Sequence, residues 1–252
     1  MCRSKIVVLI ALCLIAVSAQ AVPNQLVAHF TFDGNLLDSS GNGYTGGAGG
    51  LVGQTHYVDG RFGQALDFDG DADFIQLMVA SDGMGGWVGE GINDQTAVSY
   101  DMWIKMDAYQ THDAGILSSR EWYWGDTNLE VHSYFGFDKV YLINVQGAVP
   151  AENPVATIPQ AKLDQWVHLI ATYDSVAGEA KIYLDDVLVS QVAIAPGRVV
   201  DIGNYTLGGN ALFGRWFDGQ IDDLKIYNYA IPEPATISLL VVGISALIRR
   251  RK

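Results

Sequence analysis

Cysteine is almost missing from this chain: there are two, Cys2 and Cys13, and both sit close to the N-terminus. The rest of the sequence therefore holds no disulfide, no thiolate metal site and no cysteine nucleophile. Basic residues are scarce as well. Of the 15 Lys and Arg, nine lie in Val22–Ala230, against 27 Asp and Glu there, so that stretch carries nine minus 27, or −18 formal charges. Such a surface excludes nucleic acid and anionic membrane surfaces as partners and suits a cation or a neutral polysaccharide. Helical periodicity is nearly absent, and no Gly-x-Ser-x-Gly elbow of a serine hydrolase occurs.

Long apolar runs occur only at the two ends. The first follows Arg3 and Lys5, extends from Ile6 to Val17, and gives way to Ser18-Ala19-Gln20-Ala21. A basic start, a short apolar stretch and Ala19 and Ala21 at an Ala-x-Ala site predict a signal peptide over residues 1–21. Leu12 before Cys13 rejects a lipoprotein site, which wants a small residue there. At the other end, Pro232-Glu233-Pro234 closes the preceding domain, because prolines so spaced continue neither strand nor helix. Ala235–Ile248 then carries no charge and ends in Arg249-Arg250-Arg251-Lys252. As a helix that segment rises only about 21 Å, short of a hydrocarbon core of roughly 30 Å, and the arginines snorkel to make up part of the difference. The basic end predicts a cytoplasmic C-terminus.

The order Pro-Glu-Pro, short apolar helix, Arg-rich end resembles the PEP-CTERM sorting domain of exported bacterial proteins, here residues 231–252. The resemblance implies a membrane peptidase of the exosortase type as partner and a membrane hold through the helix before cleavage. It also implies cleavage near Pro232, Glu233 and Pro234, with release to the cell surface or extracellular matrix.

Between the ends lie residues 22–230, the length of one generous all-β domain. Val98, Tyr100, Met102, Ile104 and Met106 alternate with Ser99, Asp101, Trp103 and Lys105, the period of a half-buried strand. Similar runs fall at residues 25–32, 65–77, 131–137, 139–145, 166–173, 181–184, 187–193 and 219–227, separated by glycine-rich turns. Many short strands at near-regular spacing predict an antiparallel two-sheet sandwich, flanked by the signal peptide and the C-terminal apolar helix.

Six segments in order carry a second resemblance: Val27–Gly34, Asp38–Gly43, Gly63–Gly70, Trp166–Asp174, Lys181–Asp186 and Gly219–Asn228. They look like a LamG-like jelly roll of the concanavalin A-like lectin/glucanase superfamily. Asp186 departs from it, standing where the family usually has Gly in a hairpin Asp-Gly. That substitution predicts a hairpin of another type, since Asp tolerates positive φ less well.

The resemblance implies one structural Ca²⁺ tying the first strand to the last, held by Asp33 and Asp222 with Asn35 and Asp223 beside them. Asp67, Asp69, Asp71 and Asp73 also alternate, but an EF-hand counted from Asp69 puts Phe74 and Ala80 where Gly and Glu belong. The glucanase members carry Glu-x-Asp-x-x-Glu, which is missing here; only Glu121 and Glu130 are placed to meet across a hairpin. No catalytic residue is therefore assigned. Sugar recognition asks for exposed aromatics beside hydrogen-bonding groups. Trp122, Tyr123 and Trp124, followed by Gly125-Asp126-Thr127-Asn128, fit this best, with Trp87, Tyr109 and Trp216 behind them. The sequence thus predicts a surface or matrix binding module for polysaccharide or glycoprotein. The alternatives are a polysaccharide-active hydrolase or lyase and a purely structural matrix protein.

Overall fold

A computed structural model describes residues 25–48, 56–81, 87–89, 91–119, 126–132, 134–144, 150–210 and 213–232. The expected signal peptide and the expected sorting tail from Glu233 onward lie outside the described residues. Among those described, no helix is long and apolar enough to cross a membrane.

Two antiparallel sheets form the fold. The first holds β1 (Leu26–Phe30), β3 (Tyr57–Asp59), β4 (Gln64–Asp69), β9 (Ala97–Lys105), β14 (Val167–Asp174), β15 (Glu179–Leu184), β16 (Val187–Ala193) and β21 (Asp218–Tyr227). Its order is β16-β15-β14-β9-β21-β4-β3, and β1 pairs with the far half of β21. The second sheet holds β2 (Gly46–Ala48), β5 (Ile75–Leu77), β10 (Ala114–Ser119), β11 (Thr127–His132), β12 (Gly136–Asn144), β13 (Val155–Thr157) and β18 (Tyr205–Leu207), ordered β13-β12-β11-β10-β18-β5-β2. Three short ribbons complete it: β6 (Val79–Ser81) with β7 (Trp87–Gly89), β8 (Gly91–Gln95) with β17 (Val200–Gly203), and β19 (Gly209–Asn210) with β20 (Arg215–Trp216).

The period-two pattern decides which face is buried. Val98, Tyr100, Met102 and Ile104 of β9 point inward and join Leu66, Phe68, Leu169, Ile221 and Leu224 in one core with Ile75, Leu117, Leu129, Val140 and Leu207 of the facing sheet. One polar bridge crosses this core. Tyr100 Oη lies 2.8 Å from Tyr205 Oη, their rings meet edge to face, and Tyr100 also bonds Thr127. Burial pushes the Tyr100 phenol well up and that of Tyr205 to about 12, so both stay neutral donors at ordinary pH. A buried hydroxyl needs its partner, so the pair favours one alignment of the sheets over sliding ones.

The structure alters three sequence expectations. The run 65–77 is two strands, broken by the Asp69–Ala72 turn, where Asp71 N–H donates to Asp69 Oδ1. The run 131–137 is a hairpin tip: β11 ends at His132 and β12 begins at Gly136, whose φ is +111°. The aromatic residues Tyr134 and Phe135 there mimic a strand pattern but cap a turn. The Asp185-Asp186 hairpin keeps positive φ at both positions, +49° and +66°, as in a type I′ turn. Its carboxylates offset the conformational cost: Asp185 Oδ1 accepts from His168 N–H, and Asp186 Oδ1 lies 3.0 Å from His168 Nδ1.

Candidate functional site

The face of the second sheet that points away from the core is polar and yet buried. Glu130 on β11 is fully buried there. Its Oε2 accepts from Arg215 Nη1 at 2.5 Å and from Tyr141 Oη at 3.1 Å, and Ser118 Oγ lies 3.4 Å from its Oε1. Burial pushes the Glu130 carboxyl up, and the Arg215 guanidinium opposes that shift. Tyr141 is driven far above the usual phenol range, first by burial and then by the neighbouring carboxylate. The cluster continues outward through His132, whose Nε2 lies 3.1 Å from Asp113 Oδ2 and 3.4 Å from Arg215 Nη2.

Register explains the assembly. Glu130 pairs directly with Tyr141 on β12 and with Gly115 on β10, so all three share one face. Arg215 arrives from the β19–β20 ribbon, laid across β10 at Gly115. A Cβ on Gly115 would stand 3.1 Å from Asn210 N and from Gly209 C, so a side chain there would lift the ribbon off the sheet. Ser118, Thr206 and Gln76 extend the polar row through β18 and β5. Asn128 Nδ2, Gln76 Oε1 and Asn210 Nδ2 are buried without a hydrogen-bond partner. Unpaired buried amides of this kind are rare in protein interiors and are ordinarily completed by a bound water or ion.

Aromatic rings stand at the edge of this cluster. Phe135 packs 4.8 Å from Tyr141 and meets Tyr134 edge to face at 5.0 Å. The Arg215 guanidinium lies 5.2 Å from the Phe213 ring. Tyr134 is 71% exposed and Phe213 51%. Neither was singled out in the sequence, although an exposed aromatic flanked by Gly136 or Gly214 is the signature of a hairpin tip.

The residues marked for calcium lie beside the other sheet, at the β3–β4 hairpin. Asp33 Oδ1 accepts from Gln64 N–H, and Asp222 Oδ2 from Phe62 N–H, both at 2.8 Å. Gly60 permits this approach, since a Cβ there would sit 2.8 Å from Asp222 Oδ2. Asn35 caps its own turn, donating to Asp33 O and accepting from Leu37 N–H. The Asp223 carboxylate bonds His29 and Lys225, which hold its pKa low against the opposing effect of burial. Asp222 is fully buried, its carboxyl raised by burial, and its Oδ1 has no partner. Among the described residues no group of three or more His, Cys, Asp or Glu is arranged to hold a metal. So the structure brings Asp33 and Asp222 to one hairpin but directs Asn35 and Asp223 elsewhere.

Of the aromatic candidates, Trp216 stacks on Phe74 with centroids 5.7 Å apart and covers Gly209. Tyr109 donates its hydroxyl to Ile158 O. Trp87 belongs to β7, with its side chain outside what is described, and Trp122, Tyr123, Trp124 and Glu121 lie outside the described residues. Arg215→Met leaves Glu130 as an unmatched buried charge and is expected to cost about 3–5 kcal/mol in urea unfolding. Adding Glu130→Gln to that variant should recover most of the loss; a double variant no more stable than the single would contradict the pairing.

Comparison with known proteins agrees with this architecture. Residues 81–235 match the family model described as Concanavalin A-like lectin/glucanases superfamily. A comparison with curated proteins finds no match. Among solved structures, domain 4 of AbnA, a GH43 extracellular arabinanase from Geobacillus stearothermophilus in complex with arabinotriose, is 23% identical. The alignment covers 83% of this chain and 95% of that one, with a TM-score of 0.56. The binding domain of botulinum neurotoxin serotype G is 15% identical over 87% of this chain, with a TM-score of 0.61. The serotype D ligand binding domain in complex with N-acetylneuraminic acid is 14% identical over 86%, also at 0.61. This chain spans about half the length of those two toxin chains. At such identities the likeness shows the fold alone. The family match, spanning well over half of the sequence, makes this chain a member of the concanavalin A-like lectin/glucanases superfamily.

Proposed function

We propose that this chain is an exported, non-catalytic carbohydrate-binding protein whose ligand lies on the outer face of the second sheet. The observation that carries this reading is the pairing of exposed rings, Tyr134 and Phe213, with a preorganised charged cluster and unsatisfied buried amides. Sugars are recognised by stacking of their C–H faces on aromatic rings, with polar groups reading the hydroxyls. The binding of arabinotriose and N-acetylneuraminic acid by two structural neighbours supports a saccharide as the ligand class. A binding role suits Glu130 better than acid catalysis, because Arg215, Tyr141 and Ser118 already occupy its carboxylate. Phe213→Ala and Tyr134→Ala are each expected to weaken glycan binding about tenfold in calorimetry while leaving the melting temperature in place, because both side chains are exposed. Retained affinity in the double variant would refute this placement.

Export and surface sorting rest on the terminal segments. The signal residues Ala19 and Ala21 and the motif Pro232, Glu233 and Pro234 support secretion followed by removal of the tail by an exosortase-type peptidase. Mass spectrometry of the surface protein should then find neither residues 1–21 nor Arg249–Lys252; recovery of the basic end from mature protein would overturn the sorting role.

A structural calcium ion is a separate proposal for the β3–β4 hairpin, favoured by the buried, unpartnered Asp222 Oδ1. Asp222 and Asp33 are the residues that would hold it. Adding a chelator should lower the melting temperature by several degrees, and an unchanged curve would dispose of the ion.

A further inference from the structure

His132 sits where the charged cluster meets solvent, and its backbone surroundings fix its proton. Tyr134 N–H donates to Nδ1 at 3.1 Å. That nitrogen must therefore be the unprotonated one, and the neutral ring, assigned from this network, carries its hydrogen on Nε2. Nε2–H then donates to Asp113 Oδ2 at 3.1 Å. Arg215 Nη2 lies 3.4 Å from the same Nε2. Both are donors, so they cannot satisfy each other. Arg215 is thus anchored by Nη1 on Glu130, while its Nη2 lies beside the same His132 nitrogen that bonds the Asp113 carboxylate.

We infer that this corner takes a hydroxyl of an uncharged saccharide, the oxygen accepting from Arg215 Nη2–H and its hydrogen donated to Asp113. The inference rests on the carbohydrate-binding reading above and adds the charge class and the contact. A hydroxyl is the group that uses a donor and an acceptor side by side. A carboxylate or sulfate would accept from Arg215 but face Asp113 with no hydrogen to offer. The positive charge it would seek is already matched by Glu130 at 2.5 Å. The surrounding domain, with nine basic against 27 acidic residues, repels a polyanion further. Phe213, against Arg215, and Tyr134, two residues from His132, place rings beside the corner for the apolar face of the sugar.

The test is an array carrying uncharged oligosaccharides alongside uronate- and sialate-bearing ones, probed with the full chain. Calorimetry on the strongest hit follows, with Asp113→Asn and, independently, Arg215→Lys, which keeps a charge for Glu130 but lacks the second nitrogen. Hits confined to uncharged glycans, with affinity lowered about tenfold by each variant in protein that circular dichroism shows to be folded at the assay temperature, are the expected result. Hits dominated by acidic glycans, or affinity untouched by both variants, would overturn this inference and leave the carbohydrate-binding reading standing. Absence of binding to every glycan would remove that reading and this one together.

Discussion

A charge that water cannot reach has to be matched inside the protein, and Glu130 imposes that demand on an entire face. Among the described residues no Lys or Arg on the strands of its own sheet bonds it. The match comes from Arg215, on the β19–β20 ribbon, which Trp216 also fastens by stacking on Phe74. Bringing the ribbon down requires the bare backbone of Gly115 beneath it. Once seated, Arg215 positions Phe213 on one side and reaches toward His132 on the other. Tyr141 and Ser118 use the remaining acceptor sites of the carboxylate. The outline of the candidate site thus follows from one buried carboxylate and the cost of leaving it unpaired.

The opposite sheet meets a milder version of the same problem with backbone rather than charge. Asp33 and Asp222 each turn an oxygen to an N–H of the β3–β4 hairpin, fastening a glycine-containing turn whose Phe62 also packs edge to face on Trp103. Beside it, the Arg61 guanidinium lies 4.6 Å from the Trp103 ring, which stacks on His168 at 4.8 Å. Burial alone would lower the His168 pKa, but Asp101 and Asp186 reverse that and raise it. The raised value sets the sign of the linkage: this ion pairing stabilises the fold fully below the ordinary imidazole range and is lost as pH rises through the folded-state value. Both halves keep buried polar atoms without a hydrogen-bond partner, Asp222 Oδ1 on this side and the amides of Gln76, Asn128 and Asn210 on the other.

Much of the fold was legible because alternation is a local property. The inward set on β9 and the course of β14, β16 and β21 follow from period-two patterning, and the six ordered segments pointed to the family. What escaped was non-local. Tyr134 and Phe135 read as strand residues because their aromatic, strand-favouring side chains outweighed the turn signal of the adjoining Gly136. Glu130 drew notice as a carboxylate seeking a second carboxylate, while its partner is a cation 85 positions away. Asp186 looked unsuited to a type I′ turn because its stabilising contact, His168, lies 18 positions back. Burial of the outer face was equally invisible, since Ser118, Asn128 and Thr206 have the composition of a solvated surface.

The two ends of the described domain meet. Gln25 and Asn228 exchange hydrogen bonds, N–H of the first to the side chain of the second and N–H of the second back to the carbonyl of the first. Asn228 follows directly on β21, and the opposite end of that strand adjoins the ribbon bearing Arg215. Ten residues of extended chain put roughly 30 Å between these poles. Gln25 and Asn228 therefore mark one pole of the strand, and the Arg215 cluster occupies the other. A ligand seated on the Arg215 cluster would therefore stand a full strand's length from the place where the chain's two ends are tied together.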